Sequence, residues 1–348
     1  MKKILTLFAA GALALALISC GKKIDSSNWL SSLDDAKKAA VSESKNIFLF
    51  FSADDTDGAS VSLKEKIFST EEFLSAYTDK YVLVNIDFSD SRYEAGQDAL
   101  REDMKVFERY NAGSVPYFLI LSKEGFVITR MAFDPSDDFE SVKAAFSGAE
   151  GTIARFEETL ARTKTGTTEE RLDAINEIFD STEPALAYHL TPLNEMYLSL
   201  DKGNASGQSS KHIIALAYAK AEDFFLDDEP QKASDEFARL AKNKVLTADE
   251  RQMAYYTAGY LLAQSGSTDF AKIKDYFNKA YDAAPDSEEA ANIKIAITYI
   301  QMMIDGEGDD APSYDDGETG GSDDAPIAPV EAVDVGEVGE EAEVPAED

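Results

Sequence analysis

Cysteine is almost missing: the 348 residues contain one, Cys20. A single thiol permits no internal disulfide, no paired-thiolate metal site and no dithiol redox centre. Histidine is nearly as scarce, with only His189 and His212. Both fall in helical context, neither has a second histidine or cysteine at ligand spacing, and each reads as a structural side chain rather than a metal ligand. Positive charge is short as well: 33 Lys and Arg face 66 Asp and Glu, for a net charge of −33. Such a surface repels phosphate backbones and anionic lipid headgroups, which excludes nucleic acid as a partner. Glycine-rich phosphate loops are lacking too. Gly203-Asn204-Ala205-Ser206-Gly207 has neither the preceding strand nor the lysine, and reads as a flexible linker. Long apolar runs reduce to one, Ile4 to Ile18, shorter than the ~20 residues a bilayer span requires.

That run follows Met1-Lys2-Lys3 and ends in small residues, the pattern of a secretory signal over residues 1–19. Its end, Leu17-Ile18-Ser19-Cys20, resembles the bacterial lipobox. The resemblance implies a diacylglyceryl group on the Cys20 thiol, cleavage before that residue, and acylation of the new amino group. It also implies attachment to a membrane of the bacterial cell envelope, facing the periplasm or the cell surface. Each buried methylene contributes ~0.8 kcal/mol, and one acyl chain holds only marginally, so stable anchoring takes two or three. Residues 20–27 are polar and serve as a tether.

Residues 28–148 alternate helical and strand patterns. Trp29, Leu33, Ala36 and Ala40 recur at helical spacing, with Trp29 expected to pack this helix on a sheet. Ile47–Phe51 and Tyr81–Ile86 are unbroken apolar runs, the mark of strands buried on both faces. Ser60–Phe68 and Thr70–Tyr77 read as short helices. Ala95–Tyr110 reads as a longer one with Leu100, Met104 and Phe107 inward. Tyr117–Leu121 and Phe126–Met131 read as a hairpin about Lys123-Glu124-Gly125, and Asp137–Phe146 as a closing helix. Helices between the first three strands require crossovers and a mixed sheet covered on both faces.

Leu63-Lys64-Glu65-Lys66-Ile67-Phe68-Ser69-Thr70-Glu71-Glu72-Phe73 resembles a segment of envelope thioredoxin-like domains. In those relatives it follows a Cys-x-x-Cys pair at a helix start. Counting back by the family's spacing puts Asp57 and Ser60 where the two cysteines would stand. Val115-Pro116 matches the family's cis-proline. The resemblance implies a thioredoxin-like fold with an open groove, beside the Asp57–Ser60 loop and Pro116, that docks extended peptide in catalytic relatives.

Residues 150–305 lose their strand-like runs. His212–Phe225, Pro230–Lys242, Thr247–Gln264, Thr268–Ala283 and Ser287–Met303 all carry helical apolar spacing, in pairs joined by short turns. Ala258-Gly259, Gly266, Ala271, Phe277, Ala280 and Pro285 resemble a degenerate tetratricopeptide repeat. A generic helical bundle is the other reading of the same pattern. The stretch 306–348 holds 16 acidic and no basic residues. It has too little apolar surface to offset its ordering entropy, and a disordered acidic tail is expected.

A redox mechanism fails on chemistry, because neither Asp57 nor Ser60 can form or resolve a mixed disulfide. Asp54-Asp55-Thr56-Asp57-Gly58 fails as a calcium loop, since aligning Gly58 puts Ala53 at the first ligand position and Lys64 at the last. No cofactor or metal is expected. The sequence therefore points to an α/β thioredoxin-like domain followed by an all-α, tetratricopeptide-like domain. The function expected is that of a non-catalytic, lipid-anchored scaffold or adaptor binding a protein or peptide. An envelope enzyme of another class and a small-solute-binding lipoprotein stay open as alternatives.

Overall fold

The computed structural model describes residues 28–94 and 97–306; the signal run, Cys20, the tether and the acidic stretch from Glu307 onward lie outside the described residues. Five strands form one mixed sheet: β1 (Trp29–Leu30), β2 (Asn46–Ser52), β3 (Tyr81–Asp87), β4 (Tyr117–Leu121) and β5 (Val127–Met131), in the order β1-β3-β2-β4-β5. β3 runs parallel to both β1 and β2, whereas β4 is antiparallel to β2 and β5 to β4. The central strand explains its own composition. Ile47, Leu49 and Phe51 enter one core and Phe48 and Phe50 the opposite one, so no residue of the run meets water.

Helices α1 (Leu33–Glu43) and α5 (Gln97–Arg109) cover the first face through Leu33, Ala36, Ala40, Leu100 and Phe107. α3 (Glu71–Tyr77) and α6 (Phe139–Arg162) cover the second through Phe73, Tyr77, Val142 and Phe146. Two shorter helices, α2 (Gly58–Leu63) and α4 (Asp90–Glu94), follow the ends of β2 and β3. α2 continues into a π-helical turn, Lys64–Phe68, where a single helix from Ser60 was expected.

Several expectations need correction. Trp29 is not in a helix; it pairs with Leu83 as part of the edge strand β1, and α1 starts only after the Ser32 cap. Its ring packs on the side away from α1, stacked on Phe73 at 6.2 Å, with its indole N–H donating to the Phe68 carbonyl at 3.2 Å. On α5 the inward residue is Asp103, not Met104. Arg92 neutralises Asp103 at 3.0 Å, while Met104 is 36% exposed. A paired carboxylate can occupy a position that periodicity would give to a hydrophobe. The closing helix α6 does not stop at Phe146, because its apolar stripe continues through Ile153 and Leu160. Gly148 and Gly151 in its middle cost roughly 1 kcal/mol each against alanine, less than the stripe gains by burial.

The helical region comprises α7 (Thr168–Ser181), a 3-10 helix (Pro184–Leu190), α8 (Thr191–Leu200), α9 (Ser209–Leu226), α10 (Pro230–Leu240), α11 (Ala248–Gln264), α12 (Phe270–Ala283) and α13 (Ala290–Asp305). Each helix packs on the next in sequence. Ala258, Phe277 and Ala280 share one core, and a Cβ on Gly259 would lie 2.7 Å from the Phe277 ring, so only glycine lets α11 and α12 approach. The Gly203–Gly207 segment is not a loose linker. Asp201 accepts from the Ser206 amide and from the Ser206 and Ser209 hydroxyls, and Asn204 accepts from the Ser209 amide, which closes the turn before α9.

The two halves exchange core residues. Leu186 of the 3-10 helix is buried among Ile47, Leu49, Tyr110 and Val127 of the sheet face. Phe126, expected to open β5, instead sits in the hairpin turn and is buried with Leu160, Ile178 and Leu193 of the helical region. Leu186→Ala and Phe126→Ala are each expected to cost about 3 kcal/mol by cavity formation. Calorimetry should show both halves shifting together in one transition; two separating transitions would contradict a shared core. Gly148→Ala meets open space and should stabilise the protein by about 0.5–1 kcal/mol in urea unfolding.

Candidate functional site

β2 ends at Ser52, and the chain turns through Ala53–Asp57 into α2. The turn is closed by the Asp57 amide donating to the Ala53 carbonyl at 2.9 Å. Asp57 is the N-cap of α2: its carboxylate accepts from the Ser60 amide at 2.6 Å. Ser60 is fully buried, and its hydroxyl accepts from the Ala53 amide at 3.3 Å. Both residues at the expected redox positions are therefore occupied by hydrogen bonds that hold the loop.

Beneath them lies a second polar layer. Ser52 bridges the Asp54 carboxylate and Asn85, and Asp87 accepts from the Asp54 and Ser89 amides. Lys64 pairs with Asp54. Burial pulls the Lys64 ammonium below its usual range, and Asp87 opposes that shift. The side chain where a calcium loop needs its last carboxylate is thus a cation already satisfied by an acid.

Phe51 pairs with Tyr117 across β2 and β4, which puts the preceding residue, Pro116, beside Ser52 at the same end of the sheet. The Val115–Pro116 peptide bond is cis. Asp57 and Ser60, both hydrogen-bonded to Ala53, therefore lie at the end of the sheet where the strand register puts Pro116. Arg130 lies over the Tyr117 ring at 4.5 Å.

The histidines lie elsewhere. His189 stacks on Tyr110 at 3.9 Å and donates from Nε2 to the Arg109 carbonyl at 2.8 Å. His212 is fully buried, stacked on Tyr197 at 3.8 Å and bonded to Asn194 and Asn176. Burial holds His189 down at about 4 and His212 at about 3, so both rings are neutral near pH 7. Around His189 runs a contact that local sequence did not reveal. Arg109 of α5 donates to Asp223 of α9 at 2.6 Å, and the Tyr188 hydroxyl donates to the same oxygen at 2.8 Å. Lys105 pairs with Asp227 at 2.8 Å. Neighbouring Glu222 is pushed up to about 7, mainly by burial, with Asp223 and Glu108 adding to it and Arg109 opposing. No local motif marks these residues, since Arg109 and Asp223 are 114 positions apart.

Among the described residues, no group of three or more His, Cys, Asp or Glu is arranged to hold a metal ion. Among the same residues, no helix is long and apolar enough to cross a membrane.

With that geometry in place, comparison with known proteins separates the chain into two matched spans. A family model described as a thioredoxin-like domain matches residues 33–142. A second, described as an uncharacterised protein C-terminal domain, matches residues 208–305. An uncharacterized protein of Treponema pallidum (strain Nichols) is 23% identical over 265 residues, which cover 75% of this chain and 85% of that protein. Among solved structures, a DsbH oxidoreductase aligns with a TM-score of 0.31 and 21% identity, over 34% of this chain and 81% of its own. The chain is thus a thioredoxin-like α/β domain followed by a helical C-terminal region. Residues 143–207 fall in neither matched span; they hold most of α6, then α7, the 3-10 helix and α8.

The histidines make a pH prediction. Their folded pKa values lie below the unfolded value of 6.5, so the stability they contribute is complete above that pH. It is lost as pH falls toward about 4 for His189 and about 3 for His212. At pH 5 each should cost about 2 kcal/mol. Glu222 works in the opposite sense: its contribution is whole below the ordinary carboxylate value of 4.5 and is lost as pH rises from there to about 7. The expected outcome is that His189→Gln and His212→Gln each flatten the fall in melting temperature between pH 7.5 and pH 5. An unchanged slope would show that the buried rings do not carry it.

Proposed function

We propose that this chain is a non-catalytic cell-envelope protein, anchored by lipid on Cys20, that binds other proteins as a scaffold or adaptor. In this reading the thioredoxin-like domain keeps the architecture of a disulfide-exchange protein without the chemistry. The observation that carries it is the state of the loop before α2. Asp57 is engaged as a helix cap and Ser60 is buried on the Ala53 amide, where exchange would need an exposed thiolate and a resolving thiol. The chain's one sulfhydryl is Cys20, and the Leu17-Ile18-Ser19-Cys20 sequence supports its use for acylation. The anchor supplies membrane attachment that a chain of net charge −33 would not gain from anionic lipid. Attachment would place the folded part in the periplasm or at the cell surface.

The helical region supports the binding role, because stacked helices offer extended surface for a peptide or helix. A second reading, binding of a small solute, is favoured by one feature. A groove of about 490 Å3 lies between α8, α9 and α10, lined by Leu198, Ile213, Leu216 and Val245 with Asp201 and Asn243 at its polar side. Native mass spectrometry retaining a small molecule that is lost on Ile213→Trp would favour it over the scaffold.

Mass analysis of the protein from its native membrane is expected to show diacylglyceryl on Cys20 and loss of residues 1–19. Cys20→Ser should move the protein from the membrane to the soluble fraction. Insulin reduction should stay at background. An unmodified thiol, or turnover of disulfide by the wild-type chain, would sink the proposal.

A further inference from the structure

The groove between α8, α9 and α10 is a basic place in an acidic chain. Its lining residues all fall in two stretches, 198–217 and 239–245. In the first, Asp201 is the one acid, and its carboxylate is engaged by the Ser206 and Ser209 hydroxyls. The second has no acid and carries Arg239, Lys242 and Lys244. Exposed Lys242 and Lys244 flank the lining residue Asn243, and exposed Lys202 sits between the lining residues Asp201 and Gly203. Lys211 and Arg239 are held by Asp180 and Glu236, but Lys202, Lys242 and Lys244 form no ion pair among the described residues.

Both walls are held in place. Arg251 donates to the carbonyls of Ala241, Asn243 and Leu246, which fixes the loop bearing Lys242 and Lys244. The Asp201 hydrogen bonds fix the turn bearing Lys202. Between the walls, Leu198, Ile213, Leu216 and Val245 supply apolar surface. Such a site suits an acidic ligand with small apolar groups.

The chain itself contains one. Beyond α13, Ile327, Val330, Val333, Val335 and Val338 are interspersed with Glu331, Asp334 and Glu337, with no Lys or Arg among them. The stretch 307–326 is acidic too, but it has neither Val nor Ile. Length permits the contact. α10 packs on α11, α11 on α12 and α12 on α13, so three helix spacings separate the groove from the end of α13, about 30 Å across the stack. The 20 residues 307–326 can reach about 70 Å when extended.

We propose that the segment Ile327–Val338 docks in this groove, with its valines on Leu198, Ile213, Leu216 and Val245 and its three acids on Lys202, Lys242 and Lys244. The tether makes this contact intramolecular, at an effective concentration on the order of millimolar. Another acidic ligand enters only by displacing the segment. The inference concerns the occupant of the groove and goes beyond the anchoring and scaffold reading, which stands or falls separately.

The test is photocrosslinking within the full chain, purified in detergent, with a benzophenone side chain at Val335 and, in a second preparation, at Ala311. The expected result is an intramolecular adduct from position 335 onto residues 198–217 or 239–245, and none there from position 311. Lys242→Glu with Lys244→Glu should lower the yield about fivefold, and adding Glu331→Lys, Asp334→Lys and Glu337→Lys should restore it. Restoration separates lost charge pairing from a misfolded groove. Raising salt from about 0.05 M to about 0.5 M should lower the wild-type yield severalfold. An adduct from 335 that maps elsewhere on the chain, joins two copies, falls on detergent or lipid, or does not form overturns the docking. So does a yield that ignores both the lysine reversal and salt. None of these outcomes touches the scaffold reading, which the Cys20 and insulin measurements decide.

Discussion

Leu186 and Phe126 cross between the two halves of the molecule in opposite directions. Leu186 fills the sheet core that α1 and α5 cover, and Phe126 leaves the β-hairpin to fill the core of α6–α8. Between them, α6 runs unbroken from the sheet face, where Val142 and Phe146 pack, to Leu160 on the helical side. Close-packed interiors tolerate neither a void nor an unmatched side chain, so this exchange fixes the helical region against the sheet. The Arg109–Asp223–Tyr188 contact and the His189 stack on Tyr110 then add specific polar alignment to that packing.

The loop before α2 is held by polar contacts as closely as the two halves are held by packing. An active exchange site holds strain and exposed, reactive atoms. Here the Asp57 cap, the buried Ser60 and the Asp54–Lys64 pair convert that loop into satisfied structure. Buried polar groups persist when every donor and acceptor finds a partner. The loop is thereby tied into the packed end of the sheet.

Charge shapes what the surface can recognise. With Asp and Glu outnumbering Lys and Arg two to one, most faces repel other acidic molecules. The half-buried acid cluster around Glu222 differs from that background. Glu222 sits beside the Arg109–Asp223 pair that joins α5 to α9, and burial there is what holds its acid partly neutral near pH 7.

Much of the architecture was legible in the amino-acid order. Unbroken apolar runs marked β2 and β3 because each is buried on two faces, and caps such as Thr70 and Thr247 marked helix starts because they satisfy free amides. The positions of Asp57, Ser60 and Pro116 followed from a family resemblance, and the hydrogen bonds to Ala53 together with the strand register bring them to one sheet end. Local pattern failed wherever a partner distant in sequence set the environment. Trp29 joined a sheet edge through Leu83, Asp103 went inward because Arg92 neutralised it, and Gly203–Gly207 closed because Asp201 gathered its donors. Periodicity reports only whether a residue can be buried. What buries it, and which half of the molecule receives Phe126 or Leu186, depends on contacts that exist only once the chain has folded, and those the tertiary structure alone decided.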